Sequence, residues 1–420
     1  MVNKKTVILF IIILTLISLS AYAYKRTWYL DSVISKIDFN RVYAVDDKGV
    51  QMAIGSGFIQ DVKKSQEQDG LEFTVDNIIV DKKRIVVFYT IKNKLDHRYI
   101  KRIYYSLYDE NKEPIEGSTS PNISYEDTDL NKVKRVHDSF EIILSEEIKT
   151  PSKIKMDITL NESKYTSQEY DEIMNSNKMN DSDNSSYMYT LYIPIDKKIF
   201  EAKEKIYNIN ETIDIQNQNI FIDNIVVYPT VATLDIRYDE DNTMEVFEIK
   251  DLKLSTLDKE YNLGINSIIS SNKDEFTRSL YFESPYFEDR EELYINGSGI
   301  KALEKDKLEV VVDIENKKLI KLLVSNLKLK KVSDEKDSFL ENKNHYELKF
   351  ECDRDISFSF EFKDKDNASF RAYSVGYSEE DDYKEIYYVI DKDVKYKNPI
   401  TLTISDYDNL INKPFKIEVK

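Results

Sequence analysis

"TVDNIIV" occupies residues 74–80 and "FIDNIVV" residues 221–227, one phrase written twice, 147 residues apart. In the first copy Leu71, Phe73 and Val75 share one alternation phase; after Asp76-Asn77 the apolar positions are Ile78 and Val80, the opposite phase. In the second copy Ile220 and Ile222 precede Asp223-Asn224, and Ile225 and Val227 follow. Successive strand side chains point to opposite faces. A strand therefore changes its buried face only through an extra residue, a sharp bend or a crossing between sheets. Asn suits such a point, because it tolerates unusual φ and bonds its own neighbouring backbone. A fainter third copy runs Leu322, Val324, Ser325-Asn326, Leu327, Leu329. Asn77, Asn224 and Asn326 are the candidate bulge residues, each expected at an equivalent place in a separate β unit.

Each phrase leads into a hairpin partner: Ile85, Val87, Tyr89 and Ile91; then Leu234, Ile236 and Tyr238; then Tyr346 to Cys352. The same period of two recurs in Ile154, Met156, Ile158, Leu160, in Ile356, Phe358, Phe360, Phe362, and in Phe415, Ile417, Val419. Such alternation buries one face and wets the other, as in antiparallel sheets. Helical pattern is confined to Tyr29–Ile37 and Lys48–Ile54. The chain is read as mainly β, an N-terminal membrane helix followed by tandem immunoglobulin-like antiparallel β-sandwiches. The expected order is a cytoplasmic tip at 1–5, a transmembrane signal-anchor helix at 6–24 and a first β domain at 25–200. That domain carries a polar, mobile insertion at 161–186. A second sandwich follows at 201–318 and a third at 319–420.

The run from Thr6 to Tyr24 is uncharged and is flanked by Lys4, Lys5, Lys25 and Arg26. As a helix it reaches about 28 Å, close to the hydrocarbon thickness of a bilayer. Ala21-Tyr22-Ala23 is also an A-x-A cleavage site. The expectation is a retained single-pass anchor with the bulk of the chain outside the membrane. The alternative is a secreted protein cleaved at Ala23-Tyr24.

Asp and Glu number 77 against 60 Lys and Arg, a net charge of −17, which argues against a nucleic-acid partner. The densest basic stretch, Lys82 to Arg102, reads as a solvated face of strands and turns; the sharper reading is contact with an anionic membrane or wall polymer. Cys352 is the one cysteine. It falls on the apolar phase of Tyr346, Leu348 and Phe350, where a thiol behaves as a small hydrophobe. A nucleophile would need a base from His97, His137 or His345. The acidic loops at 181–184, 239–242 and 364–367 lack the Gly and Glu of a twelve-residue calcium loop and read as turns. Only 9 glycines occur, and there is no G-x-G-x-x-G, Walker, G-x-S-x-G or H-E-x-x-H motif. No catalytic residue, metal ligand or cofactor is expected, and the chain is read as a non-enzyme.

The segment "MAIGSGFIQDVKKSQEQDGLEFTVDNIIVDKKRIVVFYTIKN", residues 52–93, resembles the extracytoplasmic domain of unknown function found in membrane-anchored anti-sigma-factor-like proteins of low-GC Gram-positive bacteria. The segment "YIPIDKKIFEAKEKIYNINETIDIQNQNIFIDNIVVYPTVATLDIRY", residues 192–238 and including Pro229-Thr230, is similar to the uncharacterised domain that often follows it. The resemblance spans about Asp31 to Leu319 and implies a β fold in the cell envelope. It carries over no functional residues. The resemblance would imply a cytoplasmic zinc-binding helical domain before the membrane helix, and the sequence departs from that expectation in containing no His-x-x-x-Cys-x-x-Cys. The expected role is a membrane-tethered interaction or envelope-sensing module, with another envelope protein or wall polymer as partner. The alternative role is a secreted or wall-associated adhesive β-protein.

Overall fold

The computed structural model describes residues 39–43, 45–94, 99–119, 135–163, 184–288, 292–322, 324, 326–336, 344–379 and 383–419. The expected membrane helix at 6–24 and the helical pattern Tyr29–Ile37 lie outside the described residues. Among the described residues no helix is long and apolar enough to cross a membrane. The pattern at 48–54 forms α1 (Lys48–Gly55), whose N-terminus is capped by Asp47 Oδ1 accepting from Val50 N at 2.9 Å.

The first unit contains β1 (Gln60–Gln68), β2 (Leu71–Val80), β3 (Arg84–Asn93), β4 (Tyr99–Tyr108), β5 (Gly117–Thr119), β6 (Arg135–Leu144), β7 (Lys153–Ser163) and β8 (Asn184–Pro194). One sheet has the order β1-β2-β3-β6-β5 and the other β4-β7-β8, all antiparallel. The alternating residues of both sheets meet in one core that includes Phe73, Val87, Phe140, Met156, Leu160 and Tyr189. Each such side chain, fully buried, contributes roughly 1.5–3 kcal/mol. The insertion expected at 161–186 is narrower than its boundaries: Asn161 to Ser163 end β7, Asn184 to Ser186 open β8, and Asn161 pairs with Ser186. Residues 164–183 lie outside the described residues.

Strands β1 and β8 seal the side of this unit through side chains. Gln60 Nε2 donates to Pro194 O at 2.7 Å, and Gln60 Oε1 accepts from Asp196 N at 2.8 Å. Lys64 Nζ donates to Tyr192 O at 2.5 Å, while Gln66 and Gln68 accept from Thr190 N and Met188 N at 2.9 and 3.1 Å. The edge groups of β8 that would invite strand addition are thereby occupied.

The second unit contains β9 (Lys205–Ile215), β10 (Gln218–Val227), β11 (Val231–Tyr238), β12 (Met244–Lys250), β13 (Lys253–Ser255), β14 (Glu260–Asn262), β15 (Ser270–Asn272), β16 (Thr277–Glu283) and β17 (Leu293–Glu304). The third contains β18 (Glu309–Asp313), β19 (Lys318–Lys321), β20 (Leu327–Lys336), β21 (Asn344–Cys352), β22 (Ile356–Lys363), β23 (Ser369–Arg371), β24 (Ser374–Glu379), β25 (Lys384–Asp391) and β26 (Ile400–Tyr407). The last strand, β27 (Leu410–Val419), returns to the second unit and pairs with β17. The sheets are β15-β16-β11-β10-β9 facing β12-β17-β13-β14 with β27, and β19-β18-β26-β22-β23 facing β20-β21-β25-β24.

The second and third units share one antiparallel ribbon. Strand β17 pairs with β27 from Leu293↔Val419 to Lys301↔Leu410, and β18 pairs with β26 from Glu309↔Thr403 to Val312↔Ile400. Between these ladders Ala302 N donates to Asn409 O at 3.2 Å, Asn409 Nδ2 donates to Ala302 O at 2.9 Å, and Ile404 N donates to Leu308 O at 2.9 Å. Ile295, Ile300 and Ile411 enter the second core, whereas Val310, Val312 and Ile404 enter the third. Close approach of β27 depends on Gly297 and Gly299. A Cβ at Gly299 would lie 2.2 Å from Ile411 O, and one at Gly297 would lie 2.5 Å from the Phe415 ring. The boundary expected between 318 and 319 therefore falls inside β19. Strand β18 sits in the third unit between β19 and β26, and β27 pairs with β17 of the second unit.

Candidate functional site

The repeated hairpin places two turns at matching positions. Asp81 N donates to Arg84 O between β2 and β3, and Tyr228 N donates to Val231 O between β10 and β11, each at 2.9 Å. The strands that carry these turns bend alike. The register of β2 shifts between Val75 and Asn77, and that of β10 between Ile222 and Asn224. The facing edge strands shift too, and Lys63 and Asn210, at equivalent positions, both have φ of 51°. Asn77 Nδ2 also donates to Asp61 Oδ1 at 2.6 Å. Asn326 lies in a turn just before β20, and the register shift of β20 falls between Leu329 and Lys331. There the chain passes from β19 in one sheet to β20 in the other, so the change of face comes from the crossing.

The two turns meet between the first and second units. Asp81 Oδ1 accepts from Lys83 N and Arg84 N at 2.7 and 2.6 Å, and Asp81 Oδ2 accepts from Thr230 N at 3.0 Å and from the Thr230 hydroxyl. Arg84 is 1% exposed. Its Nη1 donates to Thr230 O at 2.7 Å and Asp47 Oδ2 at 2.8 Å, its Nε donates to Glu141 Oε2 at 2.8 Å, and its Nη2 donates to the same oxygen. Burial opposes the charged guanidinium, and the Asp47 and Glu141 carboxylates more than offset it, holding Arg84 above its ordinary range. Burial pushes the Asp81 and Glu141 carboxyls up, against the bonds they accept.

The N-terminal segment is fastened to both units at this point. Asp47 holds Arg84 of the first, while Lys48 N donates to Glu283 Oε1 of the second at 3.0 Å. Gly49 passes so close that a Cβ would lie 2.6 Å from Ser284 N. Ile143, Tyr228, Val231, Ile265, Ile268 and Tyr281 form an apolar cluster beside the charges, and Tyr228 OH donates to Glu147 Oε1 at 2.7 Å. The arrangement fixes orientation: a buried charge hydrogen-bonded to three separate segments permits few alternative placements of the groups around it.

The basic stretch Lys82 to Arg102 does not form one solvated face. Arg84 is buried in the junction, Lys82 pairs with Glu204, and Lys94 pairs with Glu67 and Glu72. Strand pleating sends neighbouring residues to opposite faces, so a run in sequence disperses in space. Cys352 lies buried in β21 within the third core, and burial pushes its thiol up. His345 is buried in β21 and His97 lies outside the described residues. His137 Nδ1 is 2.8 Å from Thr90 Oγ1, whose proton goes to Asp76 Oδ2 at 2.5 Å. The ring nitrogen is thus the donor toward that hydroxyl and not a base acting on it.

Asp239 and Asn242 bond Asn219 and their own turn, Asp364 accepts from Asp366 N and Ala368 N, and Asp181 to Asp183 lie outside the described residues. Among the described residues no three His, Cys, Asp or Glu side chains are placed to hold a metal ion. A groove of about 630 Å³ beside β4 is lined by Asp109, Glu113, Glu116, Glu146 and Lys149 among others, and Asp109 Oδ1 is spent on Asn111 N and Glu113 N. Sequence reading missed Arg84 and Asp81; the signal was an Asp and an Arg flanking a two-residue turn.

Two family models match the chain. Residues 2–93 match the Domain of unknown function (DUF4179), and residues 204–330 match the Family of unknown function (DUF5643). Neither match spans half the chain, and the meeting turns lie one in each. No curated protein matches. A solved structure described as the crystal structure of the conserved domain protein from Bacillus anthracis is 12% identical and covers 62% of this chain and 84% of its own, with a TM-score of 0.38, too low to carry an argument.

Proposed function

We propose that this chain is a membrane-tethered extracytoplasmic protein acting as a non-enzymatic interaction or envelope-sensing module. The observation that carries this reading is the double attachment of residues 47–49 at the junction, to Arg84 of the first sandwich and Glu283 of the second. A chain leaving a membrane helix at 6–24 and held in this way presents both units in one orientation, and a shift imposed on either reaches the tether. The strand order β2-β3-β6-β5 facing β4-β7-β8 supports an immunoglobulin-like type of sandwich, an architecture often used for recognition. The matches to two uncharacterised domains support the domain pair. The resemblance to anti-sigma-factor-like proteins supports a separate regulatory protein as one partner.

Labelling intact cells with a membrane-impermeant amine reagent, followed by intact-mass analysis of the cell-associated chain, tests the reading. Labelled protein that retains residues 1–24 is expected. A chain left unlabelled on intact cells, yet labelled after lysis, would overturn it. Ala21-Tyr22-Ala23 favours the second reading, a secreted adhesive β-protein, for which the same experiment finds a mature chain starting at Tyr24.

A further inference from the structure

The outer face of the β4-β7-β8 sheet presents ordered rows of side chains. The register sets Tyr108, Lys155 and Tyr192 in one row, Ser106, Asp157 and Thr190 in the next, and Tyr104, Thr159 and Met188 in a third. Tyr104 is 38% exposed, Tyr192 49% and Met188 72%, large apolar surfaces for a sheet face turned to water. From strand spacing, Tyr108 and Tyr192 stand roughly 10 Å apart across the sheet, and Tyr104 and Tyr108 about 13 Å apart along it. Each aromatic of the first row has an ammonium beside it. Lys155 Nζ is 4.8 Å from the Tyr108 ring, and Lys153 Nζ is 5.5 Å from the Tyr192 ring. Between the aromatic rows Asp157 accepts from Thr190 Oγ1 at 2.7 Å and from Lys155 at 2.5 Å.

We propose that this face binds an anionic glycan strand of the cell envelope. The inference rests on the exported reading above and names the surface and the class of partner. Tyrosine offers a flat apolar ring to the C–H face of a sugar and a hydroxyl at its rim, at low cost in side-chain entropy. Ser106, Asp157 and Thr190 supply donors and acceptors for sugar hydroxyls between the two aromatic rows. Charge selects the anionic class. Lys153 and Lys155, with Lys64 at the rim, stand around one carboxylate, Asp157, on a chain whose net charge is −17. Elsewhere the field of the molecule repels a polyanion, so binding concentrates on this strip. The acidic turn at 109–113 borders its Tyr108 end. Because β8's edge is sealed by Gln60, Lys64, Gln66 and Gln68, a partner meets side chains on that side of the face and not an open strand edge.

Co-sedimentation of the purified full chain with Gram-positive wall sacculi tests the proposal. One batch keeps its phosphodiester polymer and the other is stripped of it by acid. Binding to intact sacculi is expected, weakened several-fold by stripping and by added salt. The double variant Tyr104→Ala/Tyr192→Ala should lose about tenfold in affinity, and Lys153→Glu several-fold, with unchanged thermal melts because these side chains are exposed. Equal binding by the tyrosine variant overturns the face while leaving the envelope reading in place. Equal binding to intact and stripped sacculi that added salt does not weaken overturns the anionic class. If the wild type binds neither batch, this proposal falls and surface labelling of cells still decides the envelope reading.

Discussion

Arg84 is the residue on which the junction turns. Its guanidinium satisfies two carboxylates and a carbonyl from three separate segments, and no solvent can replace them. Replacing it with Met should remove about 3–5 kcal/mol in urea denaturation, because Glu141 would remain as an unpaired buried charge and half-buried Asp47 would lose its cationic partner. Replacing Arg84 and Glu141 together by Leu should recover part of that loss. A single variant with unchanged stability would show that the junction is solvated. Asp313 acts by a different route. It accepts from Asn316 N at 3.0 Å and from the Asn316 and Asn398 side-chain amides at 2.7 Å each, which hold its carboxyl down at about 2. The folded value lies below the unfolded one. Its contribution is therefore present above the ordinary Asp range near 4 and lost as pH falls toward 2. Urea midpoints of the wild type and Asp313→Ala should differ most at about pH 5, and the gap should narrow steadily as pH falls toward 2. A gap that widens on acidification would contradict this.

Elements were legible in the sequence wherever one face is dry and the other wet. Ile154 to Leu160 and Ile400 to Ile404 alternate and form β7 and β26. The phase reversals at Asp76-Asn77 and Asp223-Asn224 are visible because an inserted residue moves every later apolar position by one. The third phrase has the same apolar spacing without a bulge, since a crossing between sheets leaves an identical mark. What alternation does not encode is which edge a strand joins. Strand β27 reads as an ordinary final strand of the third unit; its true place depends on Gly297 and Gly299, which leave room for Phe415 and Ile411. Gly299→Ala should push β27 away from β17 and cost about 1–3 kcal/mol, with the loss confined to the second unit in hydrogen exchange. Loss of protection in β20 and β21 instead would place β27 in the third unit. Arg84 was hidden for a related reason: burial by a neighbouring unit leaves no periodic trace within its own strand.

At the scale of the whole molecule, two different devices join the three sandwiches. The first and second meet through a buried charged lock flanked by an apolar cluster. The second and third share a ribbon, so neither closes its core without a strand held across the connection. Alternation foretold the β units and composition the acidic charge, and both were silent on these two devices, which depend on contacts far apart in sequence. If the ribbon does weld these units, they should unfold in one transition, and a chain ending at Asn409 should lose the second sandwich before the third.

Hydrogen exchange read by mass spectrometry, comparing the full chain with one ending at Asn409, tests the shared ribbon most directly. In the full chain, peptides from 410–419 should be protected to the same degree as those from 293–301. In the shortened chain, protection should fall across β17 and β12 of the second unit while β21 and β25 of the third keep theirs. Retention of full protection in β17, or a loss centred on β21 and β25, would contradict the shared ribbon.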